Sequence, residues 1–284
     1  MNKIQLNRYN SEQLSTTSIF TSPSITSPFI TVIEDFLSHE EICSILKTYT
    51  DIKEETFPLP NQQGRVYPLS IYAYQYRFHN NNDVALERSF FYSSAQFNTN
   101  FASKFNIDIY AKLKAVLNAI TNCPEYEYVP HYTHGGEFPF CTIRELFPGT
   151  GEMTVHCEKA LFSFANTFYN NITPTMDIDY QWSFFVVLEA PESGGALTVF
   201  DFDNNEVVQK IDDEKFLMRD GSIFTIDPHS ERAVQVMPKK GSLVIFNGGN
   251  YWHRIERIAG NNSRITLGGF VCHDNNSNKG YIWS

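Results

Sequence analysis

Two histidines, one carboxylate and one arginine are spaced as a metal centre with a neighbouring anion site would require. His156 and Glu158 lie two residues apart in M-T-V-H-C-E, a stretch with the texture of a strand. Side chains alternate faces along a strand, so residues 156 and 158 are expected to converge on one side while Cys157 points away. His253 is the expected third ligand. It follows Gly248-Gly249, a pair that permits a sharp turn at a sheet rim. Two imidazoles and a carboxylate fill three adjacent corners of an octahedral Fe(II) and leave three open. Eleven residues later Arg264 opens another apolar stretch, with Thr266 and Gly268 on its own face. A guanidinium turned into a protein interior is costly unless it meets an anion, and its fork matches a carboxylate. Read alone, residues 240–271 suggest two neighbouring strands of a barrel, one ending in His253 and the other opening with Arg264.

Blander readings compete. A lone H-x-E is more often a surface pair than a metal site, so its weight comes from His253 and Arg264. His131 and His134 sit among Pro130, Gly135 and Gly136 and read as loop residues; His229 follows Asp-Pro and reads as a turn. His39 belongs to a helix first turn, and His79 and His273 to polar loops. Arg144, twelve residues before His156, is either an edge arginine or a cation for a substrate carboxylate. Trp252, beside the ligand histidine, is either a wall of the substrate site or core. P-G-T-G at 148–151 lacks the G-K-[ST] of a phosphate loop, and no G-x-S-x-G occurs.

The elements that must position these groups follow from periodicity. Residues 1–28 are rich in Ser, Thr and Asn and are expected to form a flexible arm. Phe29 to Leu37 predicts a strand. Ser38 and Glu41 then form a capping box before Ile42, Ile45, Leu46 and Tyr49 at helical spacing. A weakly patterned helix is expected over 84–104, and alternating Tyr72, Tyr74 and Tyr76 suggest a strand. A clearer helix covers 108–120, with Asp108 as N-cap and Ile109, Leu113, Val116, Leu117 and Ile120 on one face. From Tyr126 onward the texture is short strands and turns. Tyr180 to Glu189 is so continuously apolar that both faces must be covered. Helices followed by roughly eight strands predict an α+β chain with the strands rolled into a sandwich or barrel. The loops at 54–70, 163–180 and 203–220 are expected to lie over the site, where specificity is usually carried.

Composition sets the remaining bounds. The 284 residues are 42% hydrophobic and 19% charged, enough apolar content for a large core. The net charge of −10 disfavours a nucleic-acid partner, which would demand a basic footprint. The five cysteines are scattered without C-x-x-C, so a reducing compartment is expected. With no secretory signal and no long apolar run, the expectation is a cytoplasmic protein with no membrane partner. Oligomeric state is not legible.

Four pieces in order identify a family resemblance. They are F-I-T-V-I-E-D-F-L-S-H-E-E, R-E-L-F-P-G-T-G-E-M-T-V-H-C-E, S-G-G-A-L-T-V-F, and G-S-L-V-I-F-N followed by His253 and R-I-T. The chain resembles the Fe(II)/2-oxoglutarate-dependent dioxygenases of the double-stranded β-helix (jelly-roll) fold, nearest the prolyl-hydroxylase-like branch, from about Phe29 to the C-terminus. The resemblance implies one domain over 29–284, with helical support at 38–120 and a jelly-roll core at 126–284. It implies Fe(II) on His156, Glu158 and His253, 2-oxoglutarate held by Arg264 with Thr266, dioxygen, and ascorbate as a candidate reductant.

Two departures stand out. The usual H-x-D is H-x-E here, a variant that a minority of the family shares. Where many members have a co-substrate-binding tyrosine three residues before the first histidine, this chain has Met153. The co-substrate is then expected to rest on apolar packing there or to use another donor such as Tyr132 or Tyr251. Halogenating members have Gly or Ala in place of the carboxylate, so Glu158 favours hydroxylation. The expected reaction is hydroxylation of an unactivated C–H in a small molecule, first a free amino acid or peptide-like metabolite, with Arg144 and Trp252 toward the substrate. Alternatives are a protein side-chain (prolyl-type) hydroxylase, a non-catalytic jelly-roll binding module, a cupin-like isomerase or hydrolase, and, disfavoured by charge, a nucleic-acid oxygenase.

Overall fold

The computed structural model describes residues 4–15, 28–59, 63–69, 84–121, 127–130, 132–133, 136–162, 181–274, 277 and 279–284. The expected strand around Tyr72–Tyr76, the loop 163–180, and His79, His131 and His134 lie outside them.

Two sheets face each other. The larger runs in the order Gln5–Asn10, Phe29–Glu34, Leu243–Phe246, Trp182–Glu189, Arg264–His273, Thr142–Leu146, Gly64–Tyr67, Phe57–Pro58, with Lys279–Trp283 also paired to Arg264–His273. The smaller holds Ala233–Val236, Leu197–Asp203, Tyr251–Ile255 and Met153–His156. This is the α+β, double-stranded β-helix core expected, although its sheets stay open and do not close into a barrel.

Alternation decides which side chains go where. Along Phe29–Glu34, Ile30 and Val32 point between the sheets, while Phe29 and Ile33 point to the helical side. Trp182–Glu189 does the same: Phe185 and Val187 face the smaller sheet, and Trp182, Phe184, Val186 and Leu188 face the helices. Both faces of that strand are covered, which explains its unbroken apolar sequence. The helical side is closed by three helices, His39–Asp51, Val84–Phe105 and Ile109–Thr121. The first begins at the expected capping box, with Ser38 Oγ accepting from Glu41 N and Glu41 Oε2 accepting from Ser38 N. The third buries the five apolar residues read from the 3.6-residue period, and Asp108 Oδ1 accepts from Ala111 N. No helix among the described residues is long and apolar enough to cross a membrane.

Three expectations need correction. Residues 5–10 are not a flexible arm; they pair in parallel with Phe29–Glu34 and extend the larger sheet. Residues 203–220 do not overhang the site. Val207–Lys210, Lys215–Met218 and Ile223–Thr225 form a third sheet on the outer face of the smaller one. There Phe216 and Met218 pack on Phe200, Phe202 and Trp252. Residues 240–271 are not two neighbouring strands. Leu243–Phe246 and Arg264–His273 belong to the larger sheet and Tyr251–Ile255 to the smaller, so the Gly248-Gly249 turn carries the chain from one sheet to the other.

Candidate metal centre

The site lies between the sheets. Tyr251–Ile255 runs antiparallel to Met153–His156 and sets His253 opposite His156, with ring centroids 4.3 Å apart. His253 therefore sits inside its own strand, not at the end of the preceding one. Each ring is oriented by its own strand. His156 Nδ1 lies 2.7 Å from the Thr154 carbonyl and His253 Nδ1 3.0 Å from the Tyr251 carbonyl. A carbonyl only accepts, so both Nδ1 atoms donate and both Nε2 atoms keep a lone pair. That is how metal-bound histidines are held.

Glu158 reaches the same place by a different route from the one expected. The strand ends at His156, and Glu158 opens a short helix, Glu158–Phe162. Its backbone N–H donates to the Gly248 carbonyl at 3.2 Å. The side chain is buried, with Oε1 2.9 Å from Ser183 Oγ and 3.6 Å from His253 Nε2. Oε2 is buried without a hydrogen-bond partner. The ligand atoms of His156, Glu158 and His253 all lie within 4.8 Å of one another, the one such group among the described residues.

Electrostatics suits a cation here. Burial pushes Glu158 up to about 8 against the hydrogen bond from Ser183. Burial pushes His156 down to about 4 and His253 well below the ordinary histidine range. Two neutral imidazoles and a carboxyl that is costly to charge become favourable once a divalent ion lies among them. Two N donors, one O donor and open positions are the pattern of a non-heme iron site.

The donors line a cavity of about 320 Å³. Arg264, Thr266 and Gly268 face it from the larger sheet, as their shared face requires. Arg264 is 5% exposed, its guanidinium lies 4.8 Å over the Phe185 ring, and no carboxylate among the described residues pairs with it. Burial, and then the neighbouring Arg144, push it down to about 9, so it stays charged at neutral pH and gains from an anion. A Cβ on residue 268 would stand 2.5 Å from the Phe184 carbonyl, so glycine there relieves the neighbouring strand.

Arg144 also lines the cavity, with Nη1 3.0 Å from Met153 Sδ. Trp252 does not. One residue from His253 on a strand, it points to the opposite face, where it is 4% exposed with its ring 4.7 Å from that of Phe216. The expectation that it walls the substrate site fails on the two-residue period alone. Tyr251 shares the face of His253 but packs in the inter-sheet core. The side chain of Tyr132 lies outside the described residues. Sequence reasoning missed Ser183, Thr142 and Ser284. Ser183 was detectable as the lone hydroxyl inside W-S-F-F-V-V-L; the 2.7 Å pair of Thr142 and Ser284 hydroxyls at the cavity wall, 142 residues apart, left no local signal.

The family model described as "Carrier-protein-independent halogenase WelO5" matches residues 27–284. No curated protein matches. Among solved structures, the chain is similar to the non-heme α-ketoglutarate-dependent carbocyclase SnoK from nogalamycin biosynthesis, at 11% identity over 86% of this chain and 80% of that one, TM-score 0.45. It is similar to a Pseudomonas putida prolyl-4-hydroxylase, at 14% identity over 93% and 97%, TM-score 0.40. A third is a 2-oxoglutarate–Fe(II) oxygenase-family oxidoreductase from Burkholderia pseudomallei, at 10% identity over 84% and 82%, TM-score 0.43.

Proposed function

The chain belongs to the WelO5 family and is an Fe(II)- and 2-oxoglutarate-dependent oxygenase, and on that premise we propose that it is a hydroxylase of a small carboxylate-bearing molecule. We assign the iron to His156, Glu158 and His253, and the far carboxylate of 2-oxoglutarate to Arg264 with Thr266. The observation that carries the reading is the buried Glu158 carboxylate beside both imidazoles, one oxygen of which has no partner. The name of the family model is that of a halogenase. A carboxylate on the third corner occupies the place where halogenating relatives leave a gap, and this supports hydroxylation here.

Iron, 2-oxoglutarate and dioxygen together supply the oxidation, in which the co-substrate leaves as succinate and carbon dioxide and one oxygen enters the substrate. The protein's share is orientation and exclusion of water. The Thr154 and Tyr251 carbonyls fix the two histidines, and Arg264 fixes the co-substrate's direction. Leu146, Phe185, Leu197, Phe246 and Ile255 keep the cavity apolar around them. Leu59 and Gln63, from the hairpin that ends at Tyr67, reach the cavity and are the substrate-side residues in the described part of the 54–70 segment. Phe29–Glu34 and Lys279–Trp283 joined in one sheet support a single domain over 29–284, which Gln5–Asn10 extends toward the N-terminus.

Arg144 supports a substrate carboxylate, and a free amino acid or peptide-like metabolite is the first class to test. A second reading has its own observation. Arg144 stands opposite Thr266, and its charge is felt, behind the larger effect of burial, by His156, Glu158 and Arg264 alike. That placement, opposite Thr266 and lining the same cavity, also suits a second cation on the co-substrate. The test is a succinate-release screen over free amino acids and short peptides, with product mass measured. Stoichiometric succinate and a gain of one oxygen are expected for one compound; a product carrying halogen would refute the hydroxylase reading.

A further inference from the structure

We propose that Ser183 and Gly248 are positioning residues that together form a seat for a glutamate at position 158, an inference that rests on reading Glu158 as a metal ligand. The backbone turns away at this corner. The strand stops at His156, and Glu158 is tied by its N–H to the Gly248 carbonyl, while Lys159 N is tied to the Gly249 carbonyl at 2.9 Å. Glu158 thus approaches from the start of a helix instead of along the strand, and its carboxylate, one methylene beyond that of an aspartate, lies 3.6 Å from His253 Nε2.

What meets the carboxylate is specific. Ser183 lies on the face of Trp182–Glu189 that otherwise carries Phe185 and Val187 into the inter-sheet core. A hydroxyl on that face is costly unless bonded, and it donates to Glu158 Oε1 at 2.9 Å. The terminal torsion of a free glutamate is broad; this bond narrows it and leaves the other oxygen without a protein partner.

Gly248 makes the arrangement possible. Its φ is not in the left-handed region, so its backbone does not call for glycine. Space does. A Cβ on residue 248 would collide with Ser183 Oγ, and it would stand 3.0 Å from Glu158 Oε2. The same residue thus accepts the Glu158 backbone N–H through its carbonyl and makes room for the Glu158 side chain through its missing Cβ. Outer partners of this kind typically change metal affinity about 10–100-fold.

The test is anaerobic Co(II) titration of the full-length protein, read by visible absorbance, with melting of the metal-free protein alongside. Ser183→Ala is expected to weaken Co(II) at least about tenfold, and Ser183→Thr, which keeps the hydroxyl, to stay within about threefold of wild type. A merely structural role would move the melting and leave the Co(II) affinity of the folded protein alone. A folded Ser183→Ala that binds Co(II) within about twofold of wild type overturns the proposal. If that variant does not fold, Gly248→Ala gives the same reading, because its methyl displaces the Ser183 hydroxyl: loss of about tenfold supports the seat and unchanged affinity overturns it. His253→Ala separates the two levels. If it loses Co(II) while Ser183→Ala keeps it, only the seat fails; if it binds like wild type, the metal assignment itself fails.

Discussion

Arg144 stands directly opposite Thr266 on the antiparallel neighbour of the strand that Arg264 opens. Both arginines face one small cavity, and their roles separate kinetically. Arg264→Ala is expected to raise the KM for 2-oxoglutarate about a hundredfold, the equivalent of roughly 3 kcal/mol for two charge-assisted hydrogen bonds. Arg264→Lys recovers only part, because an ammonium lacks the fork. Arg144→Ala raises the KM of the primary substrate with little change for 2-oxoglutarate if it clamps the substrate, and the reverse if it serves the co-substrate. Steady-state kinetics with each substrate varied in turn decides between them.

On the proposed reading, the Glu158 carboxylate would exclude chloride from its corner. Turnover in saturating chloride is therefore expected to give hydroxylated product alone, checked by the isotope pattern in mass spectrometry. Chlorinated product from the wild-type chain would mean that Glu158 does not hold the metal during turnover.

Trp252 is a packing residue of the outer face, edge-on to Phe216 at 4.7 Å. Trp252→Leu is expected to lower stability by roughly 2 kcal/mol or more, while the substrate KM of the folded variant stays within about twofold. Denaturant unfolding and kinetics on the same preparation check this. A changed KM with unchanged stability would restore Trp252 to the substrate site.

His273, expected in a polar loop, instead ends the strand Arg264–His273 and is buried away from the metal centre, its Nε2 2.7 Å from the Tyr128 hydroxyl. Burial pushes it down to about 4, whereas in the unfolded chain it titrates near 6.5. The unfolded state binds the extra proton first, so this contribution is complete above about pH 6.5 and is lost as pH falls toward 4. The loss is on the order of 3 kcal/mol. His273→Gln is expected to make the metal-free protein's acid destabilisation shallower across that window. An identical slope in urea unfolding between pH 7 and 4 would contradict this.

Much of this molecule was legible because its key signals are local. H-x-E, the histidine after Gly248-Gly249 and the arginine after a polar loop are each visible in one window, and the helix over 109–121 follows from its 3.6-residue period. What escaped was three-dimensional. Nothing local says that Gly248-Gly249 switches sheets, so His253 was expected at a strand end; the core reading of Trp252, by contrast, was available from its place one residue from His253. Of the third sheet, the pieces near 207–211 and 222–226 read as short strands between acidic turns, but the middle strand, Lys215–Met218, and the pairing of all three did not, because each is only three or four residues long. Ser183 and Glu158 are 25 residues apart, and only folding reveals that a hydroxyl in an apolar strand has a carboxylate to bond.

The most direct measurement is the visible spectrum of the anaerobic protein with Fe(II) and 2-oxoglutarate. A weak charge-transfer band should appear only when both are present and vanish in His253→Ala. Its absence from folded wild-type protein, or its persistence unchanged in His253→Ala, would contradict an iron site built on His156, Glu158 and His253.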